Sequence, residues 1–252
     1  MATKLELLII RHELKENSVV VKTEEEDKKV NLSPEGAYRA LGTGRRELSV
    51  SHDHILVYHT DFLRTLKTAK AILFGGGYPE MDPRISYLEH GRIGVSGIKW
   101  DHTLMPSMDL NDDDYVREIL TKCYFPQEEG VVSIARYAFD MLDTVICAIE
   151  TEIGMNNRNP LALICTHCPN IDAFGNVVNG ALVVWESRDR GVCLEGYSGA
   201  FKMGEFIKGR IVGGTPEDPS ISLSVKGKAH AHSLSDLKRM RDSHYKRVQR
   251  RV

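Results

Sequence analysis

Three apolar runs in this 252-residue chain each stop at a histidine, two of them beside an arginine or just ahead of one. Leu7-Leu8-Ile9-Ile10 runs into Arg11-His12, Ile55-Leu56-Val57-Tyr58 into His59-Thr60-Asp61-Phe62-Leu63-Arg64, and Ala162-Leu163-Ile164-Cys165 into Thr166-His167. If each run is a parallel strand of an open α/β sheet, the residues just past the strand ends gather in one crevice, where such sheets bind ligands. Two histidines and two arginines in that crevice suit a phosphate. Arginine grips equatorial oxygens with a planar pair of donors, which lysine lacks. A neutral imidazole is a competent nucleophile near pH 7, and a phosphohistidine divides one difficult displacement into two easier ones. Without a metal cage, phosphoryl transfer rests on positioning and preorganised positive charge. The leaving oxygen then needs a proton, commonly from a carboxylic acid.

The elements that must position these groups alternate between strand and helix. Lys4 to Ile10, Ile55 to Tyr58 and Leu161 to Cys165 read as strands buried on both faces. The segment from Glu13 to Val30 reads as a charged loop, with Glu24-Glu25-Glu26-Asp27-Lys28-Lys29 as a solvated run. Ser33-Pro34-Glu35 supplies N-cap, first-turn proline and first-turn acid for a helix to about Leu48. Asp61 is expected to cap the next helix, to about Phe74, which Gly75-Gly76-Gly77 ends. Pro79 to about Lys99 reads as extended and irregular, and Trp100 to Glu129 as an insertion suited to a lid, with a short helix from Asp112 to Lys122. Val131 to Ile153 shows helical spacing, and Pro169 opens a further helix to about Val178. Ala181 to Glu186 and Gly191 to Glu195 read as later strands, with no internal repeat anywhere.

Bulk properties point to a soluble globular chain able to bury a full core, with hydrophobic residues at 42% and charged residues at 27%. No stretch approaches the ~20 apolar residues of a membrane span. The apolar run at the N-terminus is too short for a signal peptide, and five cysteines in no framework pattern are expected as reduced thiols, so the expected setting is cytoplasmic. The net charge of −2 conceals an acidic body and a basic end from Lys226 onward. Within that end, Ser233 and Asp236 resemble a helix cap, followed by Leu237, Met240, Tyr245 and Val248 among Lys and Arg. Such a helix either folds against the acidic body or contacts an acidic partner, RNA or a membrane surface.

Five blocks occur in one order over residues 4 to about 200: Arg11-His12; Leu32-Ser33-Pro34-Glu35-Gly36; Arg64-Thr65-Leu66-Lys67-Thr68-Ala69; Asp82-Pro83-Arg84-Ile85; and Thr166-His167. Together they resemble the histidine phosphatase superfamily, also called phosphoglycerate mutase-like. The resemblance implies an α/β three-layer sandwich with a mainly parallel central sheet and helices on both faces. The expected organisation is a catalytic domain over residues 1–213, with a lid at about 99–130 and a basic tail over 214–252. The resemblance also implies a metal-independent phosphomonoester hydrolase with no cofactor, acting on a phosphorylated substrate. His12 matches the nucleophile, Arg11 and Arg64 the phosphate clamp, and His167 the second histidine on the phosphoryl oxygens. The alternatives are a mutase-type phosphoryl transferase, or a catalytically weakened module that binds a phosphorylated ligand. The substrate and the oligomeric state have no signature in the sequence.

Several positions depart from the family pattern. Glu13 stands where glycine is usual, so either the backbone there avoids positive φ or the turn is altered, and a carboxylate beside the nucleophile would repel phosphate. Lys15 stands where one branch has another phosphate-binding arginine, and Asn17 or Ser18 would close that loop. The common position of the general acid is Tyr87, while Glu89, two residues on and on the same face of an extended segment, is the carboxylate expected to serve, ahead of Glu13 and Asp101. A second branch has aspartate after the second histidine, where this chain has Cys168. His59 and Thr60 are expected to line the pocket or close the strand-helix turn, and His90 is either pocket wall or exposed loop. Cys165-Thr166-His167-Cys168 lacks a second cysteine pair at zinc spacing, so no metal is expected; Cys165 reads as core, and Cys168, beside cations, is open to a lowered pKa and oxidation.

Overall fold

The computed structural model describes residues 4–16, 21, 23–48, 51–94, 134–180 and 199–249. Among these residues, seven strands are hydrogen-bonded in the order β3-β2-β4-β1-β5-β6-β7. These are β1 Glu6–Arg11, β2 Ile55–His59, β3 Ile85–Glu89, β4 Leu161–Thr166, β5 Phe206–Gly214, β6 Pro219–Val225 and β7 Lys228–Ser233. The first four in spatial order pair parallel, and β5, β6 and β7 extend the sheet antiparallel from β1. The helices are α1 Glu24–Lys28, α2 Pro34–Glu47, α3 Leu63–Gly75, α4 Ile134–Gly154, α5 Cys168–Val178 and α6 Leu234–Gln249.

Alternation along the strands divides the core into two layers. Leu8, Ile10, Val57, Leu163 and Cys165 pack with Ala40 of α2 and Ala69, Ile72 and Leu73 of α3. Leu7, Ile9, Leu56, Ile164 and Ile207 face the other way, onto Met141, Leu142 and Val145 of α4, Ile171 and Phe174 of α5, and Leu237 of α6. Helices therefore cover both faces, as the three-layer reading requires. Two glycines set how closely the helices approach. A Cβ on Gly44 of α2 would fall 1.9 Å from the Ile72 carbonyl oxygen of α3, and one on Gly36 2.3 Å from the Leu14 carbonyl oxygen. Gly36 thus lets the start of α2 lie under the loop that follows β1. The Ser33 side chain caps that helix by accepting from Gly36 N at 3.0 Å.

Differences from the sequence reading have local causes. Residues 85–89, read as irregular, are a strand paired parallel with β2, its outer side open to solvent at the sheet edge. The acidic run read as solvated contains α1, capped by Thr23. Asp61 does not cap α3: the N-cap is Phe62 with no side-chain bond, and Asp61 pairs with Lys28 at 3.0 Å. The stretch set apart as a basic tail supplies β6 and β7, joined by a two-residue hairpin at Lys226 and Gly227, both at positive φ. Lys238 and Arg241 of α6 pair with Glu150 and Asp143 of α4, at 2.6 and 3.1 Å, so this helix lies against the acidic body. The expected lid at 99–130, the helix within it, Asp101, Asn17, Ser18 and the strands at 181–186 and 191–195 lie outside the described residues. Among the described residues, no helix is long and apolar enough to cross a membrane.

Candidate active site

Parallel register brings the site together. Arg11 pairs with Thr166, the last residue of β4, and His12 N donates to the Thr166 carbonyl at 3.0 Å. Tyr58 pairs with Ile164, which places the end of β2 beside the end of β4, on the side away from β1. His12 and His167 consequently meet edge to face, with ring centroids 5.0 Å apart.

His12 is held in one tautomer. Nδ1 donates to the Glu13 main-chain carbonyl at 2.8 Å, and Nε2 accepts from Arg64 Nε at 3.2 Å. A hydrogen on Nδ1 leaves the Nε2 lone pair directed into the cation cluster. Burial, then the charge of Arg64, lowers the imidazole pKa to about 3 against a favourable bond to Glu13; Arg11 and Lys15 add to the lowering. His12 is therefore neutral throughout the physiological range. Burial lowers the His167 pKa in the same direction, helped by His12, Arg64 and Arg11. His167 Nε2 is hydrogen-bonded to Thr60 Oγ1 at 3.1 Å, and its ring stands edge-on to Phe62 at 4.7 Å.

Both arginines are buried and fixed. Arg11 Nη1 donates to the Phe201 carbonyl. Arg64 lies over the Phe62 ring, 4.5 Å from its centroid, and donates to Asp27 through both terminal nitrogens. Lys15 Nζ reaches the same carboxylate at 3.1 Å. Burial raises the Asp27 pKa, but Arg64 and Lys15 together outweigh it and hold the group below the usual range.

Glu13 does not confront the nucleophile. Its backbone is not among the positive-φ residues, so the usual glycine is not required there for conformation. Its carboxyl lies against Gly204, where a Cβ would sit 2.1 Å from Oε1, and burial raises its pKa. Glu89 ends β3 opposite His59, exposed, on a 500 Å³ cavity whose wall includes His59, Thr60, Phe62, Asp61 and Lys28. Tyr87 instead lines a separate 430 Å³ cleft with Tyr78 and Lys70. His90 is half-buried, its ring 6.0 Å from that of Tyr58.

Cys165 is core, as expected from the strand pattern. Cys168 is corrected: it is buried, burial raises its pKa, and Sγ donates to Asp172 Oδ2 at 2.8 Å. The proximity of arginine does not win, because the thiolate would be desolvated beside a carboxylate. Asp172 is the functional neighbour that the sequence reading missed. Burial raises its pKa to about 6, and its Oδ1 accepts from Phe201 N at 2.8 Å, which secures the residue whose carbonyl holds Arg11. Asp172 and Asn176, one turn apart on an otherwise buried helix, were a usable signal. Asp27 carried none, since it lies in a run of like residues. Among the described residues, no cluster of three or more His, Cys, Asp or Glu is arranged to hold a metal ion.

No family model matches the sequence, and no curated protein matches it. Solved structures do match. A mycobacterial glucosyl-3-phosphoglycerate phosphatase superposes with a TM-score of 0.56 at 15% identity, covering 88% of this chain and 98% of its own. Mycobacterial hydrolase 2 gives 0.56 at 15% identity, over 96% and 99% of the two chains. Mycobacterial hydrolase 1 gives 0.55 at 13% identity, over 91% and 96%. Similarity along nearly the whole of both chains establishes that this chain has the fold of these proteins.

Proposed function

We propose that the protein is a phosphomonoester hydrolase that works through a phosphohistidine on His12, without a metal ion. The observation that carries this reading is the Nε2 lone pair of a neutral, tethered His12, 3.2 Å from Arg64 Nε and beside His167. The fold shared with phosphatases supports it. His12 Nε2 forms a bond to phosphorus as the ester P–O bond breaks. Arg11, Arg64 and His167 stabilise the charge spread over the equatorial oxygens, with Lys15 and Asn17 completing the grip. Glu89, on the cavity wall, gives its proton to the departing alkoxide and then takes one from the water that cleaves the P–N bond. Preorganisation explains why the imidazole is buried: neutrality is maintained by the same desolvation and cations that await the phosphate.

The test is turnover of an aryl and an alkyl phosphate, with quenching in alkaline detergent to trap labelled enzyme. Wild type is expected to give an acid-labile phosphoenzyme, and His12→Ala to lose the label and about 10³-fold or more in kcat/KM. Glu89→Gln is expected to lower kcat/KM about 10²-fold for the alkyl ester and to spare kcat/KM for the aryl ester, whose leaving group needs no proton. Full activity in His12→Ala would end the proposal.

A further inference from the structure

The phosphate clamp of this protein already holds an anion of its own. Arg64 Nη1 donates to the main-chain carbonyl of Asp27 at 2.9 Å and Nη2 to its carboxylate at 3.0 Å, while the other carboxylate oxygen receives Lys15 Nζ at 3.1 Å. The outer edge of the Arg64 guanidinium, the part suited to two-pronged binding of an oxyanion, is thereby occupied. The element that delivers Asp27 is five residues long and buries none of them, well short of the ~12 residues at which an isolated helix becomes marginally stable. It is fastened at the site by Asp27 and by Lys28, which pairs with Asp61 at 3.0 Å at the start of α3. Glu25, Lys28 and Lys29 of the same segment form one side of the cavity that Glu89 lines.

Building on the phosphatase reading, we infer that Asp27 is a specificity-determining residue: its carboxylate stands in for the phosphoryl group on Arg64 and Lys15, and a ligand gains those cations only by displacing it. The competitor is tethered and so present at high effective concentration, which sets a threshold of charge. A carboxylate or phosphodiester offers one negative charge, no more than Asp27 itself. A phosphomonoester offers close to two near pH 7 and three terminal oxygens, enough to satisfy both cations and a histidine at once. The acidic segment therefore selects phosphomonoesters over monoanions, and α1 moves when one binds.

Calorimetric titration of the full chain with inorganic phosphate and with dimethyl phosphate tests this, using wild type, Asp27→Asn and Asp27→Ala. Both variants are expected to bind phosphate about tenfold or more tightly than wild type, the scale of one charge-assisted hydrogen bond, and to acquire binding of dimethyl phosphate that wild type lacks. Unchanged or weaker phosphate binding in both variants would overturn the inference and make Asp27 a residue that merely orients Arg64. Tighter binding without hydrolysis in any variant would uphold it while ending the phosphatase reading; hydrolysis without tighter binding would do the reverse. Phosphate binding by none of the three proteins would end both.

Discussion

At the residue scale the site depends on keeping His12 uncharged. Its folded pKa of about 3 lies below the ordinary value of 6.5, so between those pH values the unfolded chain binds the proton that the folded chain refuses. Stability from this group is complete above pH 6.5 and is lost as pH falls, at about 1.4 kcal/mol per pH unit, with His167 acting in the same sense. Asp172 acts oppositely, because its raised value of about 6 costs stability as pH rises from 3.8. A comparison of variants isolates the histidine. Denaturant melts at pH 7 and pH 5 are expected to show a smaller acid-induced loss for His12→Asn than for wild type, by about 2 kcal/mol; an equal loss would mean that the imidazole is not buried neutral. The same residues show what a motif can convey. His12, Arg64 and His167 were legible because each follows an apolar run at a strand end. Glu13 was legible only as an anomaly, and Gly204, which accommodates its carboxyl, lies 191 positions along the chain.

At the element scale, the position of His12 depends on how α2 and α3 support the loop after β1. Gly44 allows α2 to touch the backbone of α3, and the contact partner is a carbonyl that cannot swing aside. Gly44→Ala is expected to lower stability by about 2 kcal/mol or more through overpacking, read as a lower denaturation midpoint at unchanged slope. Gly42, on the same helix, meets only the tip of Arg46 and is the control: Gly42→Ala is expected to be neutral or mildly stabilising. The strands β1, β2 and β4 and the start of α2 were readable because their patterns are local: buried apolar runs in one case, Ser-Pro-Glu-Gly in the other. The segment β3 was not, because an edge strand half open to solvent lacks a continuous apolar run. Nor was α1, whose charged sequence carries no core-facing stripe and whose place is set by three ion pairs, Asp27 with Arg64 and Lys15 and Lys28 with Asp61.

At the scale of the whole molecule, the parallel half of the sheet carries the site and the antiparallel half completes the core. The C-terminal stretch belongs to that core: Leu237 is fully buried between the sheet and α4. Leu237→Ala is expected to cost ~2–5 kcal/mol in chemical denaturation, whereas a detached tail would register no change. The basic charge concentrated after Lys226 is partly absorbed within the molecule, by Glu205, Glu150 and Asp143. Apolar alternation in Pro-Ser-Ile-Ser-Leu-Ser-Val and the Lys226-Gly227 turn signalled β6 and its hairpin.

The fold class, the layered core and the side chains at the carboxyl ends of the strands are all legible in the order of residues. Those follow from the period of apolar residues, and parallel pairing then aligns the strand ends. Long-range contacts alone make Asp27 occupy Arg64, make Asp172 hold the loop anchoring Arg11, lay the Glu13 carboxyl on Gly204, and open Glu89 onto a cavity lined by His59, Thr60 and Phe62. Each is a contact between loops or segments far apart in the chain, made by one or two hydrogen bonds. Such bonds depend on side-chain direction over the sheet edge, which no local pattern of polar and apolar residues encodes.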